Sequence, residues 1–395
     1  PHLGVISFFN DVASEMVYPV LPIFITQVLG APVAILGLIE GVAEGSAALF
    51  KTVLGLWSDR LGRRKPFVLY GYLASTVSKV VVAASRTWGL VLVGRVLDKF
   101  GKGTRTGARD ALLFDASNDA NRGFVFGVQQ SLDSAGAVAG PLIALAILRA
   151  FDNNVRTVLY IAVIPSLIGV LVISFLKEAR SKGEKPDAKE KEAATAPSPP
   201  KLSFTTMSSE LKTFLLASGL FALGNSSDTF LILRAKNVGL SLTLTILAYT
   251  VYNFVYSAAS TPAGSLADRF GPKRVYITGV IIYVAVYIGF AINKSTLGVW
   301  ILFSVYGVYI ALTDSVSRAL VGGFITDERE AAGVYGLLQT VISIGLVLAS
   351  IIGGILWSAV APWATFAFAA LCATLALLVF FLADLRRRRL PARVR

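Results

Sequence analysis

Five of the ionisable residues in one apolar stretch of the chain fall in a regular series: Arg95, Asp98, Lys102, Arg105 and Arg109, at steps of 3, 4, 3 and 4. On a helix that spacing confines them to an arc of about 80°. The fourteen steps from Arg95 to Arg109 rise about 21 Å, enough to reach from mid-membrane toward one surface. Charge that deep in hydrocarbon is costly, so the stripe must face water, carboxylates or an anionic solute. Carboxylates are close at hand. Asp11 and Glu15 lie one turn apart with Tyr18 on the same face, and Glu40, Glu44 and Lys51 share another face. Asp133 is one turn from Gln129, near mid-depth of its own apolar run. A carboxylate starved of water can take a proton on one side of a membrane and release it on the other. A neighbouring Arg or Lys makes proton and solute alternate as partners of one charge. Asp133, Glu15 and Asp11 are the candidates for proton coupling, followed by Glu44, with Arg95 as gate or counter-ion.

The second half of the chain carries fewer charges. Asn225 and Asp228 stand in GNSSD, which echoes NDVASE around Asp11 and Glu15. Arg234 points about half a turn away from Asp228 and lies near a helix end, where snorkelling to water suffices. Tyr306, Tyr309, Thr313, Asp314 and Arg318 share one apolar run, and Tyr249, Tyr252, Asn253 and Tyr256 share another. An aromatic stripe packs more often than it binds, but Asn253 among the tyrosines points to solute contact. The candidate cavity residues are Arg95, Asp98, Lys102, Gln129, Asn225, Asp228, Tyr252, Asn253, Asp314 and Arg318. Asp11, Glu15, Asn225 and Asp228 would also suit a hard divalent cation or its chelate as solute. No resident metal and no cofactor are expected.

The elements that hold these residues follow from composition. Of 395 residues, 55% are hydrophobic and 15% are charged. A soluble globular domain carries less apolar and more charged residue, and a disordered chain far less apolar. Apolar runs of membrane-spanning length recur twelve times: 3–29, 33–57, 66–86, 88–113, 122–148 and 155–176, then 212–236, 242–267, 272–292, 297–322, 331–357 and 362–384. The break at 177–208 is rich in Lys, Glu, Ala and Pro and reads as a solvated linker. The expected organisation is an all-α bundle at 1–176, the linker at 177–208, a second bundle at 209–385 and a basic tail at 386–395. The net charge of +13 could suggest nucleic acid. In a membrane protein it fixes orientation instead. Basic residues follow spans 2, 8 and 12 (Arg60 to Lys65, Arg269 to Arg274, Arg386 to Arg389), and the connections after spans 1 and 11 carry none. The expectation is a multi-pass protein of the cytoplasmic membrane with both termini in the cytoplasm, monomeric, with lipid, protons and a small solute as partners and no nucleic acid. The first apolar run is too long for a signal-peptide core and carries acids. One cysteine, Cys372, and one histidine, His2, leave no disulfide framework, thiolate metal site or Cys/His nucleophile, so no enzyme is expected. A phosphate-binding loop of the G-x4-G-K-[ST] type does not occur, which excludes ATP as the driving force.

The halves repeat each other. GLWSDRLGRRKP at 55–66 recurs as GSLADRFGPKR at 264–274, an offset of 209 residues from Asp59 to Asp268. The same offset maps Arg109 onto Arg318 and RGFVFG at 122–127 onto AAGVYG at 331–336. Duplicated six-helix halves are an architecture built for alternating access.

These residues resemble the major facilitator superfamily over essentially the whole chain. Its signature after helix 2, G-x-x-x-D-R-x-G-R-[RK], is matched by Gly55, Asp59, Arg60, Gly62, Arg63 and Arg64, and recurs at Asp268 and Arg269. A glycine allows the tight turn, and an Asp at a helix end can pair with cations or a neighbouring helix N-terminus to lock one conformation. The fifth span resembles G-x8-G-x3-G-P-x2-G-G of proton-coupled efflux members at Gly127, Gly136, Gly140 and Pro141, with Ala144 and Leu145 replacing the final glycines. FFNDVASEMVYPVLP at 8–22 resembles a prokaryotic subgroup described only as superfamily transporters. The resemblance implies twelve helices in two six-helix bundles, with helices 1, 4, 7 and 10 lining a central cavity. It implies a secondary transporter, with proton-coupled antiport (efflux) of a charged organic or anionic solute as the main expectation. Proton-coupled symport or uniport of an organic anion, or of a divalent metal or metal chelate, is the alternative, and a membrane receptor without transport is a different class.

Overall fold

The computed structural model describes residues 2–61, 64–115, 122–174, 207–322 and 328–389. They form twelve helical spans, and no strand occurs among the described residues. In the first half, α1 is His2–Val17 continued by Leu21–Ile23 and a π-helical turn, Phe24–Val28. Then come α2 (Val33–Leu61), α3 (Arg64–Ala84), α4 (Trp88–Asp115), α5 (Arg122–Ala150) and α6 (Val155–Ile161 with Val163–Ser174). In the second half, α7 is Ser209–Gly224 with Thr229–Val238. It is followed by α8 (Leu242–Phe270), α9 (Pro272–Ile292), α10 (Thr296–Gly322), α11 (Glu328–Ala359) and α12 (Pro362–Arg389). The helix α12 continues past 385, so the first residues of the expected tail are helical. Of the expected linker at 177–208, only the last two residues fall within the described part.

Ten of these helices are long and apolar enough to cross a membrane, and an eleventh is the bent pair of α7, whose pieces meet at 40°. The twelfth is α4, 28 residues long and interrupted by its charges. Its hydrophilicity is tolerable because the charged face turns into the bundle, as described below.

Two spans expected as continuous are broken at the same place in each half. Helix α1 stops at Val17, before Tyr18 and Pro19; a proline has no N–H to donate and disfavours helix at the residue before it. Helix α7 stops at Gly224 and resumes at Thr229, across Asn225, Ser226, Ser227 and Asp228. Polar side chains of this kind compete with the backbone for its own hydrogen bonds. The freed backbone is satisfied by neighbours: Tyr283 donates to the Gly224 carbonyl at 3.0 Å, and the Ser350 hydroxyl accepts from the Ser227 N–H at 3.3 Å. Arg234 does not snorkel. Its guanidinium donates to the carbonyls of Phe290 (2.9 Å) and Asn293 (3.0 Å), capping the C-terminus of α9.

The halves meet through α2 against α11 and α5 against α8. Contact between α2 and α11 is close, with a Cβ on Gly41 coming 2.9 Å from the Val347 carbonyl oxygen. The Ala34 N–H donates to the Ser358 hydroxyl at 2.9 Å. These contacts lie toward the end of the bundle where α1 joins α2.

Candidate functional site

The stripe on α4 faces protein, and most of its charges are matched within the first half. Arg95 donates from Nε and Nη2 to the two carboxylate oxygens of Glu40 at 3.1 and 3.0 Å. Both side chains are buried, and the fork-on-carboxylate geometry is the strongest form of such a pair. One turn on, Lys99 pairs with Glu44. Both pairs are 55 residues apart in sequence, so two parallel helices make a two-rung ladder. Asp98 lies 3.7 Å from Lys79 of α3 and accepts from the Ser78 hydroxyl at 3.4 Å. Arg105 donates to the Ser75 hydroxyl at 2.6 Å and lies over the Tyr72 ring, 4.7 Å from its centroid. Arg109 donates to Ser7 at 2.8 Å and lies 3.5 Å from Asp133, which also accepts from Gln129 at 2.8 Å. Lys102 stands apart. It is exposed and has no ion pair or side-chain hydrogen bond among the described residues. With Asp11, Glu15, Lys79, Arg95 and Asp98 it lines a cavity of about 160 Å³.

The second half builds a different environment at the break in α7. Asp228 accepts from Tyr306 of α10 at 2.6 Å and from Tyr252 of α8 at 3.1 Å, with no cation against it among the described residues. Glu15 is held similarly from the opposite half, accepting from Tyr249 at 3.1 Å. Tyr249 and Tyr252 are one turn apart on α8, so one helix carries a hydroxyl donor to a carboxylate of each half. A central cavity of about 350 Å³ opens here, lined among others by Tyr18, Glu44, Asn225, Asp228, Tyr306 and Asp314. No Lys or Arg stands among its described lining residues. Asp314 accepts from Tyr256 at 3.2 Å.

The two breaks touch each other. The hydroxyls of Tyr18 and Ser227 are 3.4 Å apart and 209 positions apart in sequence, the offset of the internal repeat. Ser227 and Tyr18 are therefore equivalent positions meeting on the pseudo-two-fold axis. The offset also maps Glu40 onto Tyr249. Each reaches across to the other half: Ser227 donates to Glu40 at 3.2 Å, and Tyr249 stacks on Tyr18 at 5.7 Å between centroids.

The family model described as Major Facilitator Superfamily matches residues 3–233 and again 214–395. The chain belongs to the major facilitator superfamily. It is a membrane transporter of that family, with the twelve-helix fold. The uncharacterised MFS-type transporter MJ1317 of Methanocaldococcus jannaschii is 33% identical over 391 residues, covering 96% of this chain and 94% of that protein. Among solved structures, a mutant of the nucleoside transporter NupG superposes with a TM-score of 0.78 at 14% identity, covering 96% of this chain and 98% of the other. A bacterial homologue of the human lysosomal transporter Spinster, inward-facing and occupied, gives 0.77 at 16% identity, covering 97% and 95%. At such identities the superpositions speak to fold alone.

Against this superfamily frame the expected site residues divide. Glu15, Arg95, Asp98, Lys102, Asn225, Asp228, Tyr252 and Asp314 gather around the two cavities or bond to a residue that lines one. Asp133 and Gln129 bond to each other and line neither cavity; Asn253 is half-buried on α8 and lines neither. The side chains of Asp59, Arg60 and Arg318, the surroundings of Gly55 and Gly127, and residues Gly62 and Arg63 lie outside the description. The second copy of the superfamily signature is described in part. Gly271, which the 209-residue offset pairs with Gly62, turns α8 into α9 at φ 87°, a conformation that favours glycine. Asp268 is exposed, and Arg269 lies over the Phe270 ring at 5.3 Å.

Sequence reasoning missed Lys79 and Lys99 as partners, and the pairing of Glu40 with Arg95. The signal was present: acids at 40 and 44 and bases at 95 and 99 both step by four, the register of neighbouring parallel helices.

The glycines of the α5 motif have a definite task. Gly136 faces the Phe8 carbonyl and Gly140 the Val12 carbonyl, where a Cβ would lie 3.1 and 2.7 Å from the oxygens. They bring α5 against α1 directly behind Asp11 and Glu15. Gly140→Ala is expected to push the helices apart and to cost about 1–3 kcal/mol of stability. A markedly lower Tm of the purified variant in detergent checks this.

Proposed function

We propose that this chain is a proton-coupled secondary transporter that works by alternating access as a single chain in the cytoplasmic membrane. In this reading both termini and the α2–α3 end face the cytoplasm, and the closed α1–α2 end faces outward. The positions of Arg64, Lys65, Arg269, Lys273 and Arg274 support that orientation. The transported species is a charged organic solute taken into the central cavity, and efflux in exchange for protons is the mode the α5 glycine motif favours.

One observation carries the reading. Glu15 sits at the boundary between the halves, and its described hydrogen bond comes from Tyr249 of the opposite half. A hydroxyl bonds an ionised carboxylate about twice as strongly as a neutral one. Ionised Glu15 therefore holds the closed end together, and a proton on it loosens the hold. Asp228 has the matching arrangement in the second half. Protonation is thereby tied to the relative position of the halves, which is what coupling requires.

The test is proton movement into proteoliposomes loaded with a pH-sensitive dye. A thermal-shift screen of organic cations, anions, zwitterions and metal chelates supplies the solute. Solute-evoked proton movement, lost in Asp228→Asn, is the expected result. Solute flux with no proton movement at any imposed gradient would sink the proposal.

Asp133 ranks behind Glu15 because Arg109 already stands against it at 3.5 Å within the same half. Asp133→Asn is expected to lower Tm slightly, by the worth of one partly exposed pair, about 1 kcal/mol or less. The ratio of protons to solute moved stays that of the wild type. A changed ratio in this variant would return Asp133 to the coupling machinery.

A further inference from the structure

The two cavities adjoin and differ in charge: the central one carries carboxylates and no Lys or Arg among its described lining residues, while the smaller one carries Lys102 and Arg105, neither in an ion pair among the described residues, beside Asp11 and Glu15. Tyr18 lines both, and the Glu44–Lys99 pair bridges them, Glu44 lining the central cavity and Lys99 the smaller one. On the second-half side, Asp228 is bonded by two tyrosine hydroxyls and faces no cation among the described residues. On the first-half side, Lys79, Arg95 and Lys99 have carboxylate partners, while Lys102 has none and is exposed. Glu15 lines the smaller cavity with Lys102 and is within electrostatic reach of both Lys102 and Asp228. The central cavity has an aromatic wall beside Asp228, made by Tyr18, Phe221, Tyr276, Tyr306 and Tyr309.

We propose that the transported solute is a small zwitterion with an aromatic body, its cationic group toward Asp228 and its anionic group toward Lys102. This rests on the proton-coupled reading above, and narrows it to a substrate class. An ammonium beside Asp228 meets a carboxylate and tyrosine faces, both of which attract cations. A carboxylate or phosphate beside Lys102 meets a cation with no competing ion pair. Arg105 lines the same cavity and adds positive charge, although its hydrogen bond goes to Ser75. Asp11 and Glu15 share this cavity, and a proton on either removes the negative charge that would oppose an anion there. A solute with one charge satisfies one end and leaves the other bare. An aromatic body stacks on the tyrosine wall. A cavity of about 350 Å³ lies in the range of small-molecule sites.

Three matched probes test this on the purified full chain: the amino acid tyrosine, tyramine, which lacks the carboxylate, and 3-(4-hydroxyphenyl)propionate, which lacks the ammonium. Affinities come from the concentration dependence of Tm. Tyrosine is expected to bind at least about tenfold more tightly than either relative. Lys102→Met should reduce tyrosine to the affinity of tyramine and leave tyramine unchanged. Lys102→Arg should restore the difference. Asp228→Asn should reduce tyrosine to the affinity of the propionate, with Asp228→Glu as the folded control should the amide variant fail to purify. A singly charged probe binding as well as tyrosine, no shift by any of the three, or an unchanged ratio in Lys102→Met would each overturn the proposal. Failure of the underlying reading looks different: tyrosine binds as described, but its flux moves no protons.

Discussion

Glu15→Gln abolishes solute accumulation driven by a pH gradient, bringing it down to the level of protein-free liposomes. The amide keeps the size of the side chain, and its carbonyl can still accept from Tyr249, which donates to Glu15 at 3.1 Å in the wild type. What disappears is the change of charge. With no ionised state, the bond across the halves no longer strengthens and weakens with protonation, and the gradient has nothing to act on. Exchange of labelled for unlabelled solute should survive, because the lining of the central cavity, Asp228 included, is untouched. That split distinguishes a coupling residue from one that merely holds the fold. Tyr249→Phe removes the other partner of the same bond and should weaken coupling without eliminating it. Gradient-driven accumulation by Glu15→Gln at the wild-type rate would remove Glu15 from the mechanism.

Glu40→Gln carries the second large effect, and its first readout is stability. Arg95 and Glu40 are both buried, and Glu40 is wholly inaccessible to solvent. Removing one charge leaves a guanidinium in the bundle without a counter-ion, which costs about 3–5 kcal/mol when a buried pair is broken. A sharp fall in Tm is expected. Replacing both partners with apolar residues of similar size, Arg95→Met with Glu40→Leu, should recover most of it, since the pair itself contributes little net energy. The second readout is conformational. Glu40 also accepts from Ser227 of the opposite half at 3.2 Å, next to the contact between Tyr18 and Ser227. Weakening that bond should part the halves at the α1–α2 end. A cysteine at Ser350, buried against Ser227, in a Cys372→Ser background should then label faster than in the parent. A Glu40→Gln variant with wild-type Tm and wild-type labelling would show that the network is incidental.

Both predictions turn on contacts between residues far apart in sequence, which marks where reading the chain ran out. The number of spans, their approximate limits and the duplication were legible because hydrocarbon thickness and repetition leave local traces. The helical face shared by Arg95, Asp98, Lys102, Arg105 and Arg109 was legible from its period. Its partners were only partly so. Asp133 was singled out by depth, yet it bonds to Gln129 one turn away and lies against Arg109 in its own half. Lys79 carried no periodic signal of its own, and its role against Asp98 depends on how α3 packs on α4. The breaks in α1 and α7 had proline and polar residues to announce them, but only the packed halves show the two breaks in contact.

The sequence by itself determined that this is a twelve-span, duplicated membrane chain with ionisable residues held in its interior. Those features follow from composition and period, which act residue by residue. The tertiary structure decided which of the charges cancel and which remain. Pairing depends on the register of neighbouring helices, and a shift of one residue on a helix turns a side chain by about 100°. In the packed bundle, Arg95 and Lys99 are matched by Glu40 and Glu44. Lys102 is left facing one cavity and Asp228 the other, with Glu15 beside Lys102 and bonded across the halves.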